Sequence, residues 1–292
     1  MTINRRKFLF TTGMLASGAA LASIGCKSSQ KAAAGPGALS SFGIQLYTLR
    51  EDIPKDPKGV LKSLASFGYK QVESFEGSQG MFWGMTNKEF KAYMDSLGMS
   101  IVSSHCNINK DFEKKAAEAG EIGMKYLICP YVGPQKTLDD WKRLADQFNA
   151  SGEICKKNGI RFAYHNHGYS FQPQEGQLPQ DIMMQNTNAA LVDFEMDIYW
   201  VITGGANPEE WMKKYPNRFR LCHVKDRGRQ YDAKEANASV DLGTGSIDYP
   251  TILKAAKSYG MQYHIVEQER YDNTTPMKSA EADAAYMKKL VI

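Results

Sequence analysis

The chain has 292 residues, enough for one large barrel or two smaller domains. Lys+Arg number 36 against Asp+Glu 32, a balance that supplies no basic field for nucleic acid. Its five cysteines form no close pair and no CxxC, so no zinc ribbon is encoded.

The first segment reads as a targeting peptide outside the fold. Asn4-Arg5-Arg6-Lys7-Phe8-Leu9 has the form of a twin-arginine export signal, followed by a mild apolar stretch from Phe8 to Gly25. Cys26 follows Gly25, in the manner of a bacterial lipoprotein box with an imperfect match at Ser23 and Leu21. An ordinary signal peptide with an incidental cysteine is the alternative. Lipidation is favoured because residues 26–40 resemble a tether rich in Ser, Ala, Gly and Lys. The expected product is an exported, periplasmic protein anchored to the membrane by a lipid at Cys26. Removing residues 1–25 takes away Arg5, Arg6 and Lys7 and no acid, leaving 33 basic and 32 acidic residues.

From residue 41 onward, short β-prone runs alternate with amphipathic stretches. Strands are predicted at Gly43–Tyr47, Gln71–Phe75, Ser100–Ser104, Tyr126–Cys129, Arg161–Tyr164, Ala190–Phe194, Arg220–Val224 and Tyr263–Val266. Helices are predicted at Lys58–Phe67, Lys88–Leu97, Phe112–Ile122, Leu138–Lys157, Pro179–Asn186, Pro208–Lys214, Tyr249–Tyr259 and Lys278–Leu290. Phe67-Gly68, Leu97-Gly98, Asn158-Gly159 and Tyr259-Gly260 place glycine where a helix stops before a strand. Asp56-Pro57, Asn207-Pro208 and Asp248-Tyr249-Pro250 place a capping side chain near an early proline. The pattern predicts a single α/β domain over 41–292, a (β/α)8 barrel whose strand ends converge on one rim.

The residues at those ends carry the chemistry. Tyr164-His165-Asn166-His167, Glu195-Met196-Asp197-Ile198-Tyr199-Trp200, His223-Val224-Lys225-Asp226 and Val266-Glu267-Gln268 each close an apolar run. Two histidines and two carboxylates meeting on the rim can hold a divalent metal. With Phe42-Gly43-Ile44-Gln45-Leu46-Tyr47-Thr48-Leu49-Arg50 and Leu242-Gly243-Thr244-Gly245-Ser246-Ile247-Asp248, these runs resemble the xylose isomerase-like TIM barrels, the sugar phosphate isomerase/epimerase group.

The resemblance implies one divalent ion (Mn, Co, Zn, Fe or Mg) held by residues from the last four strands. Asp197, His223 and Glu267 carry over directly. His165 stands where many relatives have a first glutamate, and imidazole still suits a borderline metal. Of His165 and His167, one is expected to be a packed, hydrogen-bonded histidine; His165 takes the ligand position and His167 the substrate side. Glu195 shares a strand face with Asp197 and is either a substrate contact or an interior partner of a basic group. His223 and Lys225 also share a face, and Lys225 is expected to stabilise an enolate oxygen rather than form a rim salt bridge. His105, ending the third strand, is a proton-transfer candidate, with a structural role as the alternative. Trp83 and Trp200 are candidates for stacking on a sugar, though packing explains a lone aromatic equally well. Asp226 reads as a loop-capping acid, and Gly243-Thr244-Gly245 as a bend, since it lacks the elements of a phosphate loop.

The implied activity is a metal-dependent sugar isomerase or epimerase that abstracts a proton beside a carbonyl, with Glu267 or His105 moving the proton. Replacement of a glutamate by His165 makes β-elimination from a 3-keto-glycoside the named alternative. A non-catalytic sugar-binding lipoprotein is a third reading. An apurinic-site endonuclease would need more metal ligands and a basic surface. The expected partner is a small sugar, keto-sugar or glycoside, not a nucleic acid.

Overall fold

Eight parallel strands close on themselves in a computed structural model that describes residue 39, residues 41–232 and residues 235–292. The expected signal peptide, Cys26 and all of the tether except Leu39 lie outside the described residues. The barrel strands are β1 (Gly43–Gln45), β2 (Gln71–Phe75), β3 (Ser100–His105), β4 (Tyr126–Cys129), β5 (Arg161–His165), β6 (Val192–Asp197), β7 (Phe219–Val224) and β10 (Tyr263–Val266). The hydrogen-bonded order is β1-β10-β7-β6-β5-β4-β3-β2, and β1 pairs with β2 to complete the circle. Between β7 and β10, β8 (Asp226–Arg227) and β9 (Ser239–Val240) form a small antiparallel ribbon.

Helices return the chain along the outside: α1 (Pro57–Phe67), α2 (Asn87–Ser96), α3 (Phe112–Glu121), α4 (Leu138–Lys157), α5 (Pro179–Asn186), α6 (Ile198–Thr203), α7 (Pro208–Lys214), α8 (Tyr249–Ser258) and α9 (Pro276–Met287). Local chemistry starts and stops them. Asp56 accepts from Gly59 N–H at the head of α1, and Gly68 ends it at φ 104°, a left-handed turn that favours glycine. Thr86 with Glu89, and Thr137 with Asp140, form reciprocal capping pairs on α2 and α4.

Two boundaries differ from the sequence pattern in a way that matters. The predicted strand Ala190–Phe194 is displaced to β6, which runs on through Asp197, and the unpredicted α6 starts at once. Asp197 caps it: Trp200 N–H donates to Asp197 Oδ1 at 2.9 Å. The first strand is shorter than predicted, because Leu46–Leu49 turns into a 3-10 helix and sends Tyr47 to the rim.

Most of the core lies between strands and helices, with Leu61, Leu64, Phe90, Phe148, Phe162 and Phe194 fully buried. Inside the barrel, Tyr126, Ile128, Ala163 and Leu221 form a separate small apolar cluster. Nearer the rim, Glu73, His105, Glu195 and His223 make a buried polar cluster. The four cysteines of the barrel, Cys106, Cys129, Cys155 and Cys222, are buried free thiols. Among the described residues, no helix is long and apolar enough to cross a membrane.

Candidate metal and active site

His165, Asp197, His223 and Glu267 meet at the C-terminal rim, with one ligand atom from each lying within 4.8 Å of the others. His165 Nδ1 lies 3.1 Å from the Pro130 carbonyl. A carbonyl only accepts, so Nδ1 carries the proton and the Nε2 lone pair faces inward. That Nε2 is 3.2 Å from His223 Nδ1 and 3.4 Å from Asp197 Oδ2. His223 Nδ1 is 3.5 Å from Asp197 Oδ2 and 3.1 Å from Glu267 Oε2. Four ligands at about 2.05 Å from a tetrahedral ion are about 3.3 Å apart. The spacings fit that figure, and the borderline N/O donor set suits Zn, Mn, Co or Fe.

The carboxylates are aimed by the backbone around them. With Asp197 Oδ1 taken by the α6 cap, Oδ2 is left toward the cluster, where it accepts no well-directed hydrogen bond. Asn166 clasps the Asp197 backbone on both sides, its amide donating to the carbonyl and its oxygen accepting from the N–H. Lys225 Nζ stands behind the group, 2.9 Å from Asp197 Oδ2, 2.8 Å from Glu267 Oε2 and 2.9 Å from Glu269 Oε2. Burial opposes each charge, but Lys225 foremost holds the Asp197 and Glu267 carboxyls well below their usual range. In return the three carboxylates hold Lys225 well above its own.

A second group lies one layer deeper. Glu73 and Glu195 are fully buried, and His105 and His223 stand between them. His105 Nε2 is 2.8 Å from Glu195 Oε2 and 3.2 Å from Glu73 Oε1. Burial would lower the His105 pKa, but the charges of Glu73 and Glu195 and their hydrogen bonds push it up to about 9. His223 contacts this group through its other nitrogen, Nε2, which is 2.7 Å from Glu73 Oε1.

A cavity of about 290 Å³ opens over the rim group, lined by His105, His165, His167, Trp200, Glu267 and Glu269 among others. Tyr47 and Tyr131, 39% and 59% exposed, stand at its mouth. His167 stacks on Tyr169 and packs against Trp200; burial, its largest influence, pushes its pKa down to about 2, so its ring is neutral. Larger hollows lie beside Met81 and Phe82 and beside Tyr231 and Arg270, away from both metal-ready groups, and another of about 440 Å³ runs past Tyr47 and His105.

The structure thus brings together His105, His165, His167, Trp200 and Glu267 around one cavity, with Asp197, His223 and Glu195 directly beneath. Two expected residues stand elsewhere. Trp83 is 2% exposed, donates from Nε1 to Ser74 Oγ at 3.1 Å and packs edge-on against Phe75, so it offers no face to a sugar. Lys225 is buried beneath the carboxylates and does not line the cavity, because three acids absorb its charge. Asp226 does cap its loop: it accepts from the N–H groups of Gly243, Gly245 and Ile247. A Cβ at Gly245 would fall 2.2 Å from Asp226 Oδ1, which explains the glycine. Glu73, Glu269, Tyr47 and Tyr131 were not singled out by the sequence. The only signal for Glu73 was a charged residue on the strand face opposite Val72 in the short run Gln71–Phe75.

Comparison with known proteins agrees with this fold. The sequence matches the xylose isomerase-like TIM barrel family over residues 61–290. The chain belongs to that family. A sugar phosphate isomerase/epimerase from Parabacteroides distasonis is 30% identical, with a TM-score of 0.74 over 90% of this chain and 97% of its own. An inosose dehydratase from Geobacillus kaustophilus is 24% identical over 275 residues, covering 80% of this chain and 86% of the relative. The IolI protein with a bound zinc atom shares the fold at 15% identity, with a TM-score of 0.69 over 84% of this chain and 95% of its own.

Proposed function

We propose that this barrel is a divalent-metal-dependent enzyme that removes a proton beside the carbonyl of a keto-sugar or keto-polyol and eliminates an oxygen substituent from the next carbon. The observation that carries this reading is the convergence of His165 Nε2, His223 Nδ1, Asp197 Oδ2 and Glu267 Oε2 beneath a sugar-sized cavity. The similarity to inosose dehydratases along most of the chain favours elimination.

His165, Asp197, His223 and Glu267 would hold the ion, which when bound supplies Lewis acidity to a carbonyl oxygen and acidifies the adjacent C–H. The chain's own groups divide the proton work by their environments. Glu267 is ionised and lines the cavity, so it accepts the proton from carbon. His105, also lining the cavity, is kept protonated by Glu73 and Glu195 and donates to the departing oxygen. The C–H electron pair becomes the new C=C bond as the C–O bond breaks. Lys225 balances the charge of Asp197, Glu267 and Glu269 from behind. Neutral His167, with Trp200, Tyr47 and Tyr131, gives the substrate hydrogen-bonding and apolar walls.

Isomerisation or epimerisation is the second reading, favoured by the similarity to the Parabacteroides distasonis isomerase/epimerase. Metal-loaded protein incubated in D₂O with an inosose and with 3-keto-glucosides, followed by NMR, separates the two. Elimination predicts an unsaturated product with loss of water or aglycone. Deuterium entering carbon with no loss of oxygen supports the second reading. Tight binding without turnover of any ketose or keto-glycoside would leave a sugar-binding protein. We also propose export and acylation at Cys26, supported by Arg5-Arg6 and Gly25-Cys26. Membrane association unchanged in Cys26→Ser would reject the anchor.

A further inference from the structure

The deeper group contains the same residue types as the rim group, yet its contacts are of a different kind. His223 Nε2 to Glu73 Oε1 is 2.7 Å, and His105 Nε2 to Glu195 Oε2 is 2.8 Å. These are lengths of charge-assisted hydrogen bonds, with a proton between the atoms. They are shorter than the roughly 3.3 Å separating two ligands of one tetrahedral ion. The other two contacts, His105 Nε2 to Glu73 Oε1 at 3.2 Å and His223 Nε2 to Glu195 Oε2 at 3.5 Å, are longer, so each histidine has one carboxylate as its hydrogen-bond partner.

Glu73 is held so that it cannot turn away. Gln45 Nε2 donates to its Oε1 at 2.8 Å, and Ser103 Oγ donates to its Oε2 at 2.6 Å. The register between β2 and β3 makes this meeting. Val72 pairs with Ile101, but Glu73 pairs with Ser103, so the ladder slips by one residue at Glu73. Without the slip, Val102 would stand opposite Glu73 and the hydroxyl would be lost.

We infer that Glu73 is the positioning residue for the proposed metal site: by accepting a hydrogen bond from His223 Nε2–H, it leaves Nδ1 as the nitrogen that faces His165, Asp197 and Glu267. An imidazole has two nitrogens, and a carboxylate that accepts from one fixes the other as a ligand while raising its basicity. His165 is fixed in the complementary sense by the Pro130 carbonyl, so His165 Nε2 and His223 Nδ1, 3.2 Å apart, converge on one point. Glu73 comes from β2, far in sequence from the ligand-bearing strands, and is fully buried.

This inference rests on the reading that the rim group holds a divalent ion, and the test separates the two. Metal-free wild type and Glu73→Gln, each confirmed folded by circular dichroism, are titrated with Co²⁺ by calorimetry and absorption. The wild type is expected to bind one ion. Glu73→Gln should still bind one ion but about 10- to 100-fold more weakly. Ser103→Ala, which frees one arm of Glu73, should weaken binding by a smaller factor and stands in if Glu73→Gln does not fold. An affinity within two-fold of wild type in the folded variants would overturn the inference while leaving the metal site intact. Two ions in wild type and one in Glu73→Gln would overturn it by making Glu73 a ligand. A wild type that binds no divalent ion would overturn the metal site itself, and the inference with it.

Discussion

His223 serves two groups at once, one through each ring nitrogen, and each adds two carboxylates and one more histidine. At the rim, His165 has its outer nitrogen occupied by a backbone carbonyl, so two inner ring nitrogens and two carboxylate oxygens gather at one place. In the deeper layer, Glu73 and Glu195 each lie within a short hydrogen bond of an imidazole nitrogen. The rim group also has Lys225 behind it, and its His165 and Glu267 line the cavity; the deeper group reaches that cavity through His105, while both its carboxylates are fully buried. The comparison teaches that donor identity does not define a metal site. What the second nitrogen of each histidine touches decides whether the first can bind a cation.

The largest effects test the rim group. Glu267→Gln should cut turnover about a thousand-fold or more, since it removes a ligand charge and the proposed base together. Metal removal by a chelator should abolish turnover and lower the melting temperature. At a hundred-fold excess of ion over Kd, the bound state is worth roughly 2.7 kcal/mol, readable by differential scanning calorimetry. A Glu267→Gln protein with near-normal turnover would erase the functional difference between the groups.

Next comes Lys225→Met. If Lys225 is the counter-ion of three carboxylates, its loss should destabilise the metal-free protein by about 3–5 kcal/mol in urea unfolding. Added Co²⁺ should recover part of that loss, because a second cation replaces the first. Unchanged stability with lost turnover would instead return Lys225 to the substrate side.

His105→Asn sharpens the comparison from the deeper group. Turnover should fall about a hundred-fold, while metal stoichiometry by elemental analysis stays at one. Loss of the ion in this variant would mean that the two groups act as one metal centre. The smallest effect belongs to Trp83→Phe, outside both groups. It should cost about 1 kcal/mol for the hydrogen bond to Ser74 and leave KM unchanged. A KM raised ten-fold would place that indole against substrate after all.

Much of this protein is legible in its sequence because the signals are local. Glycine after a helix, Asp or Asn before an early proline, and short β-prone runs mark the eight repeated units wherever the chain folds. Strand ends on one rim then bring His165, Asp197, His223 and Glu267 together, since every parallel barrel strand points the same way. Tertiary structure alone decided how the strands lie beside each other. Between β6 and β7, Phe194 pairs with Phe219 but Glu195 with Leu221, and that one-residue slip sets His223 level with Asp197. The slip at Glu73 likewise brings Ser103 opposite it. A one-residue shift exchanges inward for outward side chains, and it depends on packing between strands far apart in the chain. Assembled neighbours likewise decided that Lys225 lies among three carboxylates and that Trp83 packs against Ser74 and Phe75. Strand period fixes which residues share a face, but only the assembled neighbours fix what that face meets.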